Sequence, residues 1–336
     1  MDENWTRLIE LETLDYIVPK CKIKRKGTKT KDKAQEVISS FRQGHTYLLS
    51  AQASDHAIKP LLQYYAINSF IRGLVLLFSD KRETALASAH GLQLTNIREK
   101  ISNGNLLDTE IKLTDGILYE FLETVNNSSI VLCKTIKSTI PTLGSTIKLK
   151  ELIQSFYRFN IFYERCTGEK PLYREAEILP HTGNSLEVLI NVMDKKERGE
   201  EYKDIANMFF GGDGTLAGGE NGISNSRTSN IKYQYLPKSE KVLFGLGKVE
   251  KVAFTKCQRV CLVQPFENCA AINTLGRYYT LAYFLGMYAR YYPTSWMNIF
   301  RGAGGDKLYP LIYQILSEIE YEFPYAICEF VEYYKP

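Results

Sequence analysis

The sequence predicts an α+β fold, predominantly α-helical, with a small antiparallel β section inserted late in the chain. Apolar residues recur at three- and four-residue spacing over long stretches at both ends of the 336-residue chain. Between residues 180 and 265 the pattern changes to alternation, as in Leu186, Val188, Ile190 and Val192. These observations divide the chain into an N-terminal helical part (1–165), a β-rich section (166–270) and a C-terminal helical part (271–336) that packs back on the first.

The elements follow in order. Residues 5–17 carry apolar positions at Trp5, Leu8, Ile9, Leu11 and Leu14, one amphipathic helix closed by Pro19. Residues 20–33 hold eight Lys or Arg against Asp32 alone, and with Gly27 and its neighbouring threonines they read as a flexible basic arm. Ala34, Val37, Ile38 and Phe41 then share a helix face. A stronger helix spans about 55–78, with Ser54 or Asp55 as its cap and Pro60 near its start. A short helix over 85–89 stops at His90-Gly91, where glycine suits a left-handed C-cap.

Asn103-Gly104 and Asp115-Gly116 are turn signals. Residues 116–125 read as helix, 130–136 as a strand and 149–163 as a helix. Further strands are expected at 231–236, 248–254 and 259–263. A stretch from Gly211 to Gly222 holds six glycines in 12 residues and reads as a mobile loop. The last third gives helices over 273–292, 306–322 and 324–334, the first ended by Pro293. Twelve of the 23 tyrosines lie in the last 59 residues, many spaced by four, so they wall one helix face of a core or interface.

Composition excludes several classes. Forty-two basic and 38 acidic residues give a net charge of +4, and 44% hydrophobic content is that of a folded globular chain. The uncharged stretch 278–289 is 12 residues long, short of the ~20 that a membrane span needs. The acidic start lacks the basic and apolar regions of a secretory signal. A cytoplasmic location without a membrane partner is therefore expected. Seven scattered cysteines lack framework spacing, and Cys257, Cys261 and Cys269 lack a zinc knuckle's spacing and a fourth ligand. The glycine-rich stretch has no Lys-Ser or Lys-Thr after it, so it is not a P-loop. No metal or cofactor is expected.

Two groups of residues remain as candidate sites. Tyr64, Asn68 and Arg72, spaced by four, form a polar stripe on an otherwise apolar helix, which needs hydrogen-bond partners. With His90 and with Arg290, which ends a long uncharged helix, they are expected to converge on a cleft between the two helical parts. Lys22, Lys24, Arg25, Lys26, Lys29 and Lys31 of the basic arm form a candidate nucleic-acid surface, acting through phosphate neutralisation. Arg174 and His181 match the loose Arg-x4-6-His spacing of HEPN nucleases, although Pro180 argues against a helix there.

The stretches Pro60-Leu-Leu-Gln-Tyr-Tyr65, His90-Gly-Leu92 and Arg290-Tyr-Tyr-Pro293-Thr-Ser-Trp296, in this order, resemble the YaaC-like proteins of bacteria. Where that pattern often carries His after Arg-Tyr, this chain has Tyr292. The resemblance implies a mostly helical bacterial cytosolic protein, with a link to phage defence and a remote kinship to HEPN-type proteins. It supplies no catalytic residues. Three functions stay open: an accessory component of anti-phage defence acting through a protein partner or homo-oligomer and through nucleic acid, a metal-independent HEPN-type RNase, and a nucleotide or small-ligand sensor lidded by the glycine-rich stretch.

Overall fold

A computed structural model describes residues 3–21, 28–131, 133–170, 266–302 and 307–336, and within the β section the strand residues 173–180, 186–192, 214–217, 223–224, 231–237, 250–251 and 258–263. The helices are α1 (Glu3–Glu10), α2 (Leu14–Ile17), α3 (Thr28–Gln52), α4 (Lys59–Phe78), α5 (Ile97–Ser102), α6 (Ile117–Thr124), α7 (Leu149–Gln154), α8 (Asn160–Thr167), α9 (Thr274–Tyr291), α10 (Pro293–Phe300) and α11 (Leu308–Tyr333). The fold is predominantly helical α+β.

Alpha-4 is the central helix, packed by α3 on one side and α9 on another, with α6 and α11 also against it. It is long and apolar enough to cross a membrane, at a mean hydropathy of 1.3, but 72% of that window is buried inside the fold. Its seam with α3 is mostly apolar, crossed by a hydrogen bond from the Ser69 hydroxyl to Gln43 Oε1 at 3.0 Å. Phe41 of α3 lies on Gly73 of α4, where an added methyl would come 2.5 Å from the ring. Phe70 of α4 lies on Gly44 of α3, where the same addition would come within 2.7 Å. The two rings meet at 5.9 Å between centroids. Glycine is required at both positions because each ring fills the space of a side chain.

Strands β1 (His90–Leu94), β2 (Glu110–Gly116) and β5 (Thr146–Lys148) form a three-stranded antiparallel sheet in the order β1-β2-β5. Strands β3 (Ser129–Val131) and β4 (Lys134–Ile136) form a hairpin. In the inserted section, β6 (Tyr173–Pro180), β7 (Leu186–Val192), β8 (Gly214–Ala217), β9 (Ile223–Ser224), β10 (Ile231–Pro237), β11 (Glu250–Lys251) and β12 (Gln258–Val263) form a seven-stranded sheet, β11-β12-β6-β7-β10-β8, with β9 beside β10. All its pairings are antiparallel.

The chain returns from this section into α9 through an asparagine clamp. Buried Asn127 donates Nδ2 to the carbonyls of Thr139 and Ala271, each at 2.8 Å, and accepts the Asn273 N–H at 2.9 Å. Asn273 then caps α9, its Oδ1 accepting the Gly276 N–H at 2.8 Å.

Several expected elements differ from those observed. The single helix over 5–17 is two, because the chain turns at Leu11–Thr13 and the Thr13 hydroxyl bonds the Glu10 carbonyl at 2.8 Å. The basic arm is not a loop throughout: α3 begins at Thr28, and buried Lys33 donates to the Ser79 carbonyl. The central helix begins at Lys59, with Asp55 outside it accepting the Ala57 N–H at 2.8 Å. The expected strand over 130–136 folds back at Cys133, which has φ 58°.

The expected helix over 149–163 breaks at Ser155, and the carbonyl left at that helix end accepts from Arg277 Nη1 at 2.6 Å. Pro293 ends one helix and opens another, its missing N–H being harmless in a first turn. The two expected final helices are one, running through Pro324. Ile319, Phe323 and Ile327 are fully buried on either side of that proline, and their packing holds the helix together across the lost hydrogen bond. Part of the glycine-rich stretch, 214–217, is strand β8; the rest lies outside the described residues.

Candidate functional site

The polar stripe of α4 meets α9 and the start of β1. Pro60 opens α4, and the four-residue spacing places Tyr64, Asn68 and Arg72 in a row. On α9, Tyr279, Tyr283 and Arg290 recur at helical spacing, and Gly286 between them lets the Tyr64 Cβ approach. His90 comes from the edge of the small sheet rather than from a helix end as expected. The β1–β2 pairing is irregular between His90 and Leu92, a bulge that sets the direction of the His90 ring. It depends on Gly91 at φ 84° opposite Gly116, where an added Cβ would lie 2.2 Å from the Gly91 nitrogen.

The side chains join in one network. His90 Nδ1 and the Tyr64 hydroxyl are 2.5 Å apart, and the hydroxyls of Tyr64 and Tyr279 are 3.2 Å apart. Tyr279 donates toward the His90 carbonyl at 3.0 Å and Asn68 Oδ1 at 3.2 Å. Tyr283 donates to the Leu92 carbonyl at 2.9 Å. The rings of Tyr279 and Tyr283 meet Tyr64 edge-on at 5.7 and 5.6 Å. One proton arrangement uses every contact: His90 Nδ1–H to Tyr64, Tyr64 O–H to Tyr279, and Tyr279 O–H to the His90 carbonyl and Asn68. It leaves the Nε2 lone pair of His90 facing outward, without a protein partner among the described residues.

Electrostatics fit that arrangement. Burial pushes the Tyr64 and Tyr279 hydroxyls well above the usual phenol range, so both stay protonated donors. Partial burial, and then the charge of Arg290, hold the His90 imidazole below its ordinary value and favour the neutral ring. Arg290 is exposed, with Nη1 3.4 Å from the Tyr65 hydroxyl and its guanidinium over the Tyr291 ring at 5.2 Å. Arg72 donates Nη1 to the Ala87 carbonyl at 3.1 Å, tethering the segment that leads into β1, and its charge acts on the Tyr279 hydroxyl.

The chain matches the family model described as YaaC-like Protein over residues 12–331. The chain belongs to the YaaC-like family. No curated protein and no solved structure matches it. Within this YaaC-like chain, the three stretches that carried the resemblance supply Tyr64, His90 and Arg290, and these side chains lie together.

Tyr279 and Tyr283 were read from the sequence only as core or interface wall, and they complete the network. Their signal is the four-residue spacing of the pair, with Arg290 seven residues, about two turns, further on. Of the basic arm, Lys22, Lys24, Arg25 and Lys26 lie outside the described residues, whereas Lys29 and Lys31 fall in the first turn of α3, Lys31 exposed. Arg174 lies on strand β6 opposite Leu262, not on a helix, and His181 is outside the described residues. Among the described residues no group of three His, Cys, Asp or Glu is placed to hold a metal.

Proposed function

We propose that this chain is a soluble, cytoplasmic binding protein, an accessory component of bacterial anti-phage defence, and that it engages a phosphate-bearing ligand where His90 and Arg290 reach the surface. One observation carries the ligand class: an outward imidazole nitrogen, fixed from behind by Tyr64, beside an exposed guanidinium. Arginine offers several N–H donors to a phosphate, and a neutral histidine beside it can accept or return a proton. The basic arm, with Lys29 and Lys31 at the head of α3, supports nucleic acid as the source of that phosphate.

The test is fluorescence polarisation of a labelled single-stranded RNA with the full chain. Arg290→Ala is expected to weaken binding by about tenfold or more, ~1.4 kcal/mol. Equal binding by a folded Arg290→Ala chain rules out this site. The defence role is tested by plaque counts with the gene and its neighbours present or deleted; unchanged counts reject it.

A second reading, a metal-independent RNase, is favoured by the Nε2 lone pair. Here His90 takes the ribose 2′-hydroxyl proton as that oxygen attacks phosphorus, and the leaving 5′-oxygen takes a proton back. Cleavage that persists in EDTA and disappears in His90→Gln supports this reading. Uncleaved RNA at saturating protein leaves the chain a binder.

A further inference from the structure

From Asn268 to Ser317 the chain carries one acidic residue, Asp306, against Arg277, Arg290, Arg301 and Lys307. Arg277 is buried, whereas the other three cations are exposed. Among the described residues none of those three has a carboxylate partner. The same stretch brings rings to the surface. Tyr291, Tyr309 and Tyr313 are 61, 38 and 48% exposed. Tyr278, Tyr279, Tyr283 and Tyr288 just before them are buried, so core packing accounts for those four and not for these three.

The exposed rings are held in place from behind. Tyr309 meets Phe300 edge-on at 5.4 Å and Tyr313 at 6.1 Å. Phe300 lies flat on the His56 imidazole at 4.8 Å, and Tyr313 meets that imidazole edge-on at 5.8 Å. Buried Trp296 backs the group: its ring meets Phe300 at 5.1 Å, and its indole N–H donates to the His56 carbonyl at 2.8 Å. Rings fixed in this way lose little freedom when a ligand lands on them. The group is also continuous with the site at Arg290. Helix α10 separates Arg290 from Arg301, and its eight residues are about 12 Å long. His56 lies just ahead of α4, whose Tyr65 hydroxyl meets Arg290.

We propose that the surface from Arg290 along α10 to Tyr309 and Tyr313 is a track for single-stranded nucleic acid. Arg290, Arg301 and Lys307 take phosphates, and unpaired bases stack on Tyr309 and Tyr313. This rests on the reading of Arg290 as a phosphate contact, and it adds the form of the strand and the groups that hold its bases. The cations alone would suit any polyanion. The rings select one that carries planar bases free to leave their neighbours. A duplex keeps its bases stacked inside and offers the tyrosines only its backbone. Stacking accepts every base, so sequence preference on this track is weak.

Fluorescence polarisation with the full chain compares three labelled oligomers of equal length: a single-stranded RNA, the same strand in a duplex, and an abasic ribose-phosphate strand. The wild type is expected to bind the single strand about tenfold more tightly than the abasic strand, and more tightly than the duplex. Tyr309→Ala with Tyr313→Ala should abolish the preference over the abasic strand, whereas Tyr309→Phe with Tyr313→Phe, which keeps both rings, should retain it. Arg301→Ala should weaken both single strands alike and lower the salt dependence. Circular dichroism checks folding, and Tyr313→Ala alone carries the test if the double alanine variant unfolds. Equal affinity of the wild type for all three oligomers, or an unchanged preference in the folded alanine variant, overturns the track. Arg290→Ala separates the two readings. If it weakens both single strands while the alanine pair alters neither, the phosphate site stands and the track falls. If the alanine pair abolishes the preference while Arg290→Ala changes nothing, the track stands from Arg301 onward and the phosphate site at Arg290 falls.

Discussion

The two long sides of α4 are built differently. Towards α3 the seam is mostly apolar, rings seated on glycines in the Phe41–Gly73 and Phe70–Gly44 contacts, with the Ser69–Gln43 hydrogen bond beside them. Towards α9 it is lined by hydroxyls, an amide and an imidazole. The first is stabilised by close packing and tolerates no change of volume. The second is stabilised by satisfied hydrogen bonds, and it is open to the surface at His90 and Arg290. One helix thus separates close packing from hydrogen bonding by face, and substitutions on each face should have separable effects.

The largest expected effect is on the α3 side. Phe41→Ala should cost about 3–5 kcal/mol, read by urea denaturation, while RNA affinity per folded molecule stays at the wild-type value. A matching loss of affinity would show that the two faces are not separable. Gly73→Ala should cost about 1–3 kcal/mol from overpacking, partly offset by up to about 1 kcal/mol of helix propensity. The cost should shrink in a Phe41→Leu background; simple additivity would mean the ring does not fill that space.

On the polar side the pattern should reverse. Tyr279→Phe should cost only about 1 kcal/mol in stability but should weaken RNA binding about tenfold, since it removes the group that fixes Tyr64 and hence His90. Unaltered binding would confine the network to a structural role.

The smallest effect is a pH dependence. The His90 pKa is held down in the folded chain, so the unfolded chain binds more protons at that position. Its contribution leaves stability undiminished above the unfolded value, about 6.5, and lowers it as pH falls from there to the folded value. His90→Gln should flatten that part of the profile between denaturation curves at acidic and neutral pH; an unchanged profile would assign the slope to other groups.

Much of this was legible in the sequence. The run from Leu61 to Leu77 and the alternation at Leu186–Val192 each reflect one local period, and both elements form where that period lies. The convergence of Tyr64, Asn68 and His90 followed from asking where polar groups on an apolar helix find partners. What stayed hidden is decided at long range. The carbonyl at the helix end at Ser155 is satisfied by Arg277, 122 residues later. Pro324 fails to end one because apolar neighbours hold both sides. His90 is on a strand because Gly116 allows a close backbone approach. Arg158 meets Glu318 and Glu322 across 160 and 164 positions, and no local pattern records that pairing.

The asparagine clamp bears on how the inserted sheet relates to everything else. The start of α9 is held by Asn127, which precedes the β section in the chain. The register of Tyr279, Tyr283 and Arg290 is thus anchored to the helical body on the near side of the insert. By reaching across its own insertion to fix the helix that follows, the body makes the two flanks of that insertion one structural unit.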